Sequence, residues 1–239
     1  MSEITMVAQI LSIQVGLPKS LGLTGAPDPM DRPWSTGFFK KSIQGEVWLG
    51  STNLAGDGQA DLKHHGGVEK AVLAYAAEHY PSWQARLKLP DLSHGAFGEN
   101  FTVAEQTESS VCIGDIYDIG EAQVQVSQPR QPCWKLSRRW RIRDLAFQVQ
   151  ATGQTGWYFR VLKEGMVEAG MKLVLRDRPF PQWTVARANQ IMHHELNNRE
   201  AAVALANCPL LAVNWQRTLS NRAAKNVNPN PVLRLWGEN

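Results

Sequence analysis

The hydrophobic spacing of this chain changes period at Pro179 and Pro181. Over roughly the first 175 residues, apolar side chains come in short runs closed by glycine; beyond the two prolines they recur at helical spacing. "VAQILSIQV" sets Val7, Ile10, Ile13 and Val15 in a β-branched run, and "SIQGEVWLG" alternates towards a glycine. "KAVLAYA" is short and apolar, a strand buried on both sides or a helix segment. The clearest strand is "EAQVQVSQP", where Ala122, Val124 and Val126 alternate with Glu121, Gln123 and Gln125 until Pro129 ends the ladder. "VCIGDIYDIG" carries turn residues at Gly114-Asp115 and Ile119-Gly120. "GWYFRVLKEGMVEAGMKLVL" reads as two strands with turns at Gly165 and Gly170. Many short strands with glycine punctuation predict a closed or partly closed barrel.

Two helices interrupt this region. One is a weak pattern in "AAEHYPSWQARLKL"; the other runs from Asp144 as N-cap to Gly153 as C-cap. The stretch 25–37, with three prolines, reads as an irregular loop. Beyond Pro181, "TVARANQIMHHE", "NREAAVALANCPLL" and "AVNWQRTLSNRAAK" have helical spacing, with N-cap residues at Thr184 and Asn198. The fold class is therefore mostly β, a barrel with flanking helices at 1–180, plus a small three-helix module at 182–239.

Composition narrows the function classes. A hydrophobic fraction of 43% with 20% charged residues suits a globular core, and a net charge of +3 is too small to argue for nucleic acid. The positive charge is concentrated: Arg130, Lys135, Arg138, Arg139, Arg141 and Arg143 precede the first acid, Asp144. Cys112, Cys133 and Cys208 are odd in number and far apart, so neither a disulfide framework nor a C-x-x-C metal pair follows. The N-terminus lacks the features of a secretory signal, and no apolar run has the length of a membrane span. The expectation is a cytoplasmic protein with free thiols.

Three clusters carry chemistry. In "SQPRQPCWK", Cys133 leaves a strand end on a turn stiffened by Pro129 and Pro132. Neighbouring guanidinium groups favour its thiolate, a better nucleophile and soft-metal ligand; a packed core cysteine is the competing reading. In "LKHHGGVEKA", His65 is followed by Gly66 and Gly67, both free to take positive φ, and Lys63 adds a cation. A polar hairpin with a surface histidine fits the same residues. Asp57 and Asp61 either orient the histidine or cap turns. In "GAFGENFTV", the Asn100 amide can read a flat heterocycle, or serve a turn. Cys112, in an apolar strand, and Cys208 read as packing. "HHELNN" fails as H-E-x-x-H at Asn198, and neither a Walker loop nor G-x-G-x-x-G occurs.

The fragments "GDGQAD…HHGGVEKAVLAYAAEHYPSW", "AFGENFTV", "VCIGDIYDIGEAQVQVSQPRQPCWKL" and "GQTGWYFRVL", in that order, resemble the MOSC family, named for the C-terminal domain of molybdenum cofactor sulfurases. The spacing is most similar to the bacterial YiiM-type proteins, linked to resistance against N-hydroxylated base analogues such as 6-hydroxylaminopurine. The tail, ending in "RLWG", resembles the three-helix module that follows the domain in that branch. The resemblance implies a MOSC-type β-barrel that binds the molybdenum cofactor, Mo-molybdopterin, with Cys133 as the molybdenum ligand. The lysine at the start of the family's second strand falls on Lys40, its His-Gly-Gly on His65, Gly66 and Gly67, its Gln-Pro-Arg turn on Gln128, Pro129 and Arg130, and its asparagine on Asn100. Lys40, Lys63, the His65-Gly66-Gly67 turn, Asn100, Gln128 and Arg130 are thus the expected cofactor-binding residues, and Cys133 and His65 the catalytic ones.

The implied activity is reduction of a small N-hydroxylated substrate to the amine, with electrons from a separate reductase, since the chain has no flavin, haem or iron–sulfur motif. The alternative is a cofactor-binding or sulfur-carrier module without its own turnover. A third option, nucleic-acid binding through 130–143, lacks a reader motif. The expected partners exclude nucleic acid and membrane, and the expected assembly is a monomer or homodimer.

Overall fold

The computed structural model describes residues 7–237. The extreme N-terminus read for targeting signals, and the outer ends of the segments 1–180 and 182–239, lie outside the described residues. The elements are β1 (Val7–Val15), β2 (Lys19–Leu21), β3 (Trp34–Thr36), β4 (Lys41–Ser42), β5 (Val47–Leu49), α1 (Leu62–His65), β6 (Val72–Ala76), α2 (Tyr80–Leu87), β7 (Phe101–Ala104), β8 (Ile116–Ile119) and β9 (Ala122–Pro129). They continue with α3 (Trp134–Trp140), α4 (Leu145–Thr152), β10 (Trp157–Lys163), β11 (Gly165–Val167), β12 (Lys172–Asp177), α5 (Val185–His193), α6 (Arg199–Ala206), α7 (Val213–Lys225) and α8 (Val232–Trp236).

The strands β12-β8-β9-β10-β6-β7-β1 close into a barrel, with β1 pairing back onto β12. All neighbours are antiparallel except β6 and β7. Parallel strands need a crossover, and the chain between these two supplies it through α2. Every residue of β6 is buried, so "KAVLAYA" is a two-sided strand. Inside the barrel pack Ile10, Phe101, Tyr117, Val124, Trp157 and Phe159, each aromatic contributing about 2–3 kcal/mol of transfer free energy. A second apolar cluster, Tyr75, Trp83, Phe97, Leu136, Leu145 and Val149, seats α2, α3 and α4 on the outside. The C-terminal helices bring Val185, Ile191, Leu205, Trp215 and Leu219 into the barrel's own cluster. Thr184 and Asn198 cap α5 and α6 through their side chains, as their sequence positions predict.

Several local expectations are corrected. Gly165 lies inside β11, which pairs with β5, so 157–177 forms three strands; of the two predicted glycine turns only Gly170, at φ 96°, is one. The proline-rich loop 25–37 folds back so that β3 pairs with β2. In β9 the polar positions Gln125, Ser127 and Gln128 are buried, because α5 packs on this strand and the Ala212 N–H bonds Ser127 O at 2.9 Å. Cys112 sits in an isolated bridge to Thr184 rather than in a strand. A helix, α3, begins directly after Cys133, ahead of the one expected near Asp144, and α8 adds a fourth helix to the tail. Among the described residues no helix is long and apolar enough to cross a membrane.

Candidate functional site

Cys133 is the N-cap residue of α3, in extended conformation at φ −131° and ψ 163°, and only 6% exposed. Its Sγ lies 3.8 Å from His65 Nε2, across 68 positions of sequence. His65 ends α1, whose N-cap Asp61 accepts the His64 N–H at 3.1 Å and meets His64 Nδ1 at 2.9 Å. Asp61 therefore orients the first histidine of the pair and leaves the second to face the thiol. Burial alone raises a thiol's pKa. Here the hydrogen bond and charge of His65, then the charge of Arg130 and the Lys135 backbone N–H, outweigh it and bring Cys133 down to about 7. The histidine leads this effect, not the guanidinium groups that the sequence points to. Cys112 shows the contrast: burial, then Asp115, push its thiol up to about 11.

The thiol opens on an inner cavity of about 70 Å³, lined by Phe38, Lys40, Lys70, Arg130, Lys135 and Tyr158 among others. A wider vestibule of about 910 Å³ shares Cys133 and His65 with it and runs out between the barrel and the helices bearing Asn214, Arg217 and Arg234. Lys40 is buried in an ion pair with Asp57, whose other contacts are Gly16 N at 3.0 Å and Asn100 Nδ2 at 2.8 Å. Desolvation lowers the pKa of Lys40 and of Lys70, and burial pushes Tyr158 up to about 12. Arg130 is 3% exposed; its Nη2 donates to Phe97 O at 3.3 Å, whereas its Nη1 is buried without a partner.

The rest of the basic run holds the segment 28–39 in place. Arg138 donates to Pro29 O at 2.7 Å and Arg32 O at 3.3 Å, and Arg139 to Phe38 O. Arg141 pairs with Asp31, and Arg143 lies 3.6 Å from Asp28. These contacts press residues 28–39 onto α3, and with them Phe38 and the adjoining Lys40 onto the cavity. The charge cluster is visible in the sequence; the acids and carbonyls that hold its arginines, distant along the chain, are not.

The expected residues divide into three groups. Cys133, His65, Lys40 and Arg130 meet in one cavity. Gly66 and Gln128 line the vestibule, where Gln128 Oε1 is buried without a partner; exposed Lys63 stands on the same rim. Of the two glycines, only Gly67 takes positive φ, at 93°, while Gly66 is extended at −116°. Asn100 borders the cavity, but its amide is spent inside the protein: it accepts from Leu73 N at 3.1 Å and donates to Asp57 and to Gln14 O. It holds Asp57, and through it Lys40, rather than presenting a free edge. Lys40 directly precedes β4. Lys70 and Tyr158 were missed; they stand inside the quoted fragments "HHGGVEKA" and "GWYF", with no spacing that singles them out.

The profile of the MOSC domain matches residues 61–174, and that of the YiiM-like 3-alpha helix domain matches 183–226. YiiM of Escherichia coli is 38% identical over 205 residues, covering 83% of this chain and 89% of that protein. The chain belongs to the MOSC family. Another relative, YflK of Bacillus subtilis, is 43% identical over 213 residues, 89% of this chain and 93% of its own length. A protein of Gibberella moniliformis named a reductase is 37% identical over 161 residues, 66% of this chain and 28% of that longer one. Among solved structures, YiiM from Geobacillus stearothermophilus has a TM-score of 0.76 at 39% identity, covering 91% of this chain and 100% of that one.

MOSC domains are associated with binding of the molybdenum cofactor, and this site's donors suit such a group. Among the described residues no cluster of three or more His, Cys, Asp or Glu is placed to hold a metal. A metal here would rest on the one soft donor, Cys133, with its other ligands from outside the chain. The unpartnered Arg130 Nη1, beside Lys40 and Lys70, suits an anionic group, and the joined spaces have the size of a cofactor site.

Proposed function

We propose that this MOSC protein is a molybdenum-cofactor-dependent oxidoreductase that reduces N-hydroxylated compounds, N-hydroxylated purines among them, to amines. The reaction consumes two electrons and two protons, breaks the N–O bond and releases water; the electrons come from a separate reductase. The observation that carries the reading is the depressed thiol of Cys133, 3.8 Å from His65 in the wall of a cation-lined cavity. When bound, the cofactor supplies the two-electron, oxygen-atom chemistry. Cys133 offers its sulfur as the protein ligand. Arg130, Lys40 and Lys70 would offset the negative charge of the pterin phosphate, and Gln128 and Gly66 would border the bound group. His65, with Nε2 3.8 Å from the sulfur, is the chain's proton donor towards the leaving oxygen. The buried Lys40–Asp57–Asn100 network keeps the cation fixed before anything binds. The fungal relative's name, a reductase, supports the reaction class.

The test is Cys133→Ser, made in cells able to synthesise the cofactor. Molybdenum per chain and the rate of N-hydroxylated purine reduction with a supplied reductant should both fall to near background, with the circular dichroism of the wild type. Normal turnover in this variant rules out the ligand role. Wild-type protein that carries the cofactor, passes it to an acceptor and never turns over would instead make the chain a carrier.

A further inference from the structure

The C-terminal "RLWG" has no part in the chemistry above, yet its residues converge on the chain either side of Cys133. Arg234 reaches back across 102 positions, donating from Nη1 to Pro132 O at 2.6 Å. That carbonyl belongs to the peptide bond leading into Cys133. Its Nη2 donates to Gln150 Oε1 of α4, also at 2.6 Å. Leu235 is 3% exposed, and the Trp236 ring stacks on Phe147 with centroids 6.2 Å apart at 22°. Gly237, at φ 60°, lies so close to the indole of Trp134 that a Cβ there would come within 2.6 Å of its Cγ. The tail thus grips Pro132 before the cysteine and Trp134 after it.

We infer that α8 with Gly237 is a latch that fixes the placement of the Cys133 turn, Arg234 being a positioning residue that acts through the Pro132 carbonyl. Prolines set the shape of a turn through φ but not where the turn sits. The guanidinium fork ties it to α4, and a planar two-pronged donor sets direction as well as distance. Leu233 and Arg234 also line the vestibule, so the same segment walls the approach to the sulfur. The placement follows from the contacts themselves; only its consequence for the metal rests on the proposed ligand role of Cys133.

Hydrogen exchange on the cofactor-free full chain tests the latch directly. In Arg234→Gln, amides of 130–137 should exchange at least about tenfold faster, since two charge-assisted hydrogen bonds no longer oppose local opening. Amides of β8 and β12 should keep their rates. Arg234→Lys, which keeps the cation but not the two-pronged fork, should recover only part of the protection. When loaded in cofactor-competent cells, Arg234→Gln should retain about tenfold less molybdenum per folded chain, the range seen when an outer support of a metal ligand is lost. Unchanged exchange at 130–137 with a lower melting temperature would make the tail a stabilising appendage and overturn the latch. Equal behaviour of the Lys and Gln variants would do the same. If Arg234→Gln does not fold, Trp236→Leu is read by the same exchange. A Cys133→Ser protein with full metal and turnover, alongside a loosened turn in Arg234→Gln, would remove the ligand role and leave the latch standing.

Discussion

His65→Ala isolates what makes the Cys133 thiol reactive. Three groups oppose burial at this sulfur: His65 by hydrogen bond and charge, Arg130 by charge, and the Lys135 backbone N–H. Removing the imidazole takes away the largest of them; it also opens the sulfur to the vestibule, which lessens the burial penalty. The thiol should therefore return from about 7 towards its ordinary value of 9.0. At pH 7 the wild type is about half thiolate, whereas a thiol of pKa 9 is about 1% ionised, a fall of about fiftyfold. The sign follows from the acid's depressed pKa: wild-type reactivity persists down to about pH 7 and is lost below it, and the variant loses it about two pH units earlier. The assay is iodoacetamide alkylation of cofactor-free protein from neutral to alkaline pH, with the Cys133 peptide quantified by mass. Cys112 and Cys208 serve as internal controls, because burial is the leading cause of a raised pKa in both. A midpoint that stays near 7 in His65→Ala would refute the argument and transfer the effect to Arg130.

Two further outcomes test the scaffold. Lys40→Met strips a side-chain-buried Asp57 of its cation, which should cost about 3–5 kcal/mol in urea unfolding, with Lys40→Met/Asp57→Asn recovering at least half; a loss near zero would mean that water reaches the pair. Gly156→Ala puts a Cβ 2.3 Å from Ala74 O at φ 72° and disturbs the carbonyl that receives the Arg130 N–H. It should lower stability by at least about 3 kcal/mol in thermal or urea unfolding, and an unchanged midpoint would show that the β6–β10 contact has slack.

Much of the barrel is legible in the sequence because strand signals are local. "EAQVQVSQP" becomes β9 and ends at Pro129, and Gly153, at φ 72°, closes α4 where the C-cap was placed. Misreadings arise where tertiary contacts override local pattern. The alternation in β9 predicts one wet face, but α5 covers it. Helix α3, "WKLSRRW", carries three cations in seven residues and makes a poor apolar stripe. It is nonetheless seated by Leu136 in the outer cluster and by carbonyls and acids of the 28–39 segment.

The site follows the same rule at longer range. A cysteine on a stiff turn and a histidine before two glycines are each ambiguous, and no local pattern says that they touch. That contact depends on strand pairing: β9 delivers Pro129 beside Trp157 of β10, β10 pairs with β6, and the chain entering β6 carries His65. The thiol's lowered pKa is thus a property of barrel register, not of the "PRQPCWK" segment. Neighbouring arginines in sequence exert less pull on it than one imidazole brought in across the sheet, because Arg138, Arg139 and Arg141 are turned to the carbonyls and acids of residues 28–39. A register slip of one residue between β9 and β10 would invert side-chain facing and separate the pair while leaving every local motif in place.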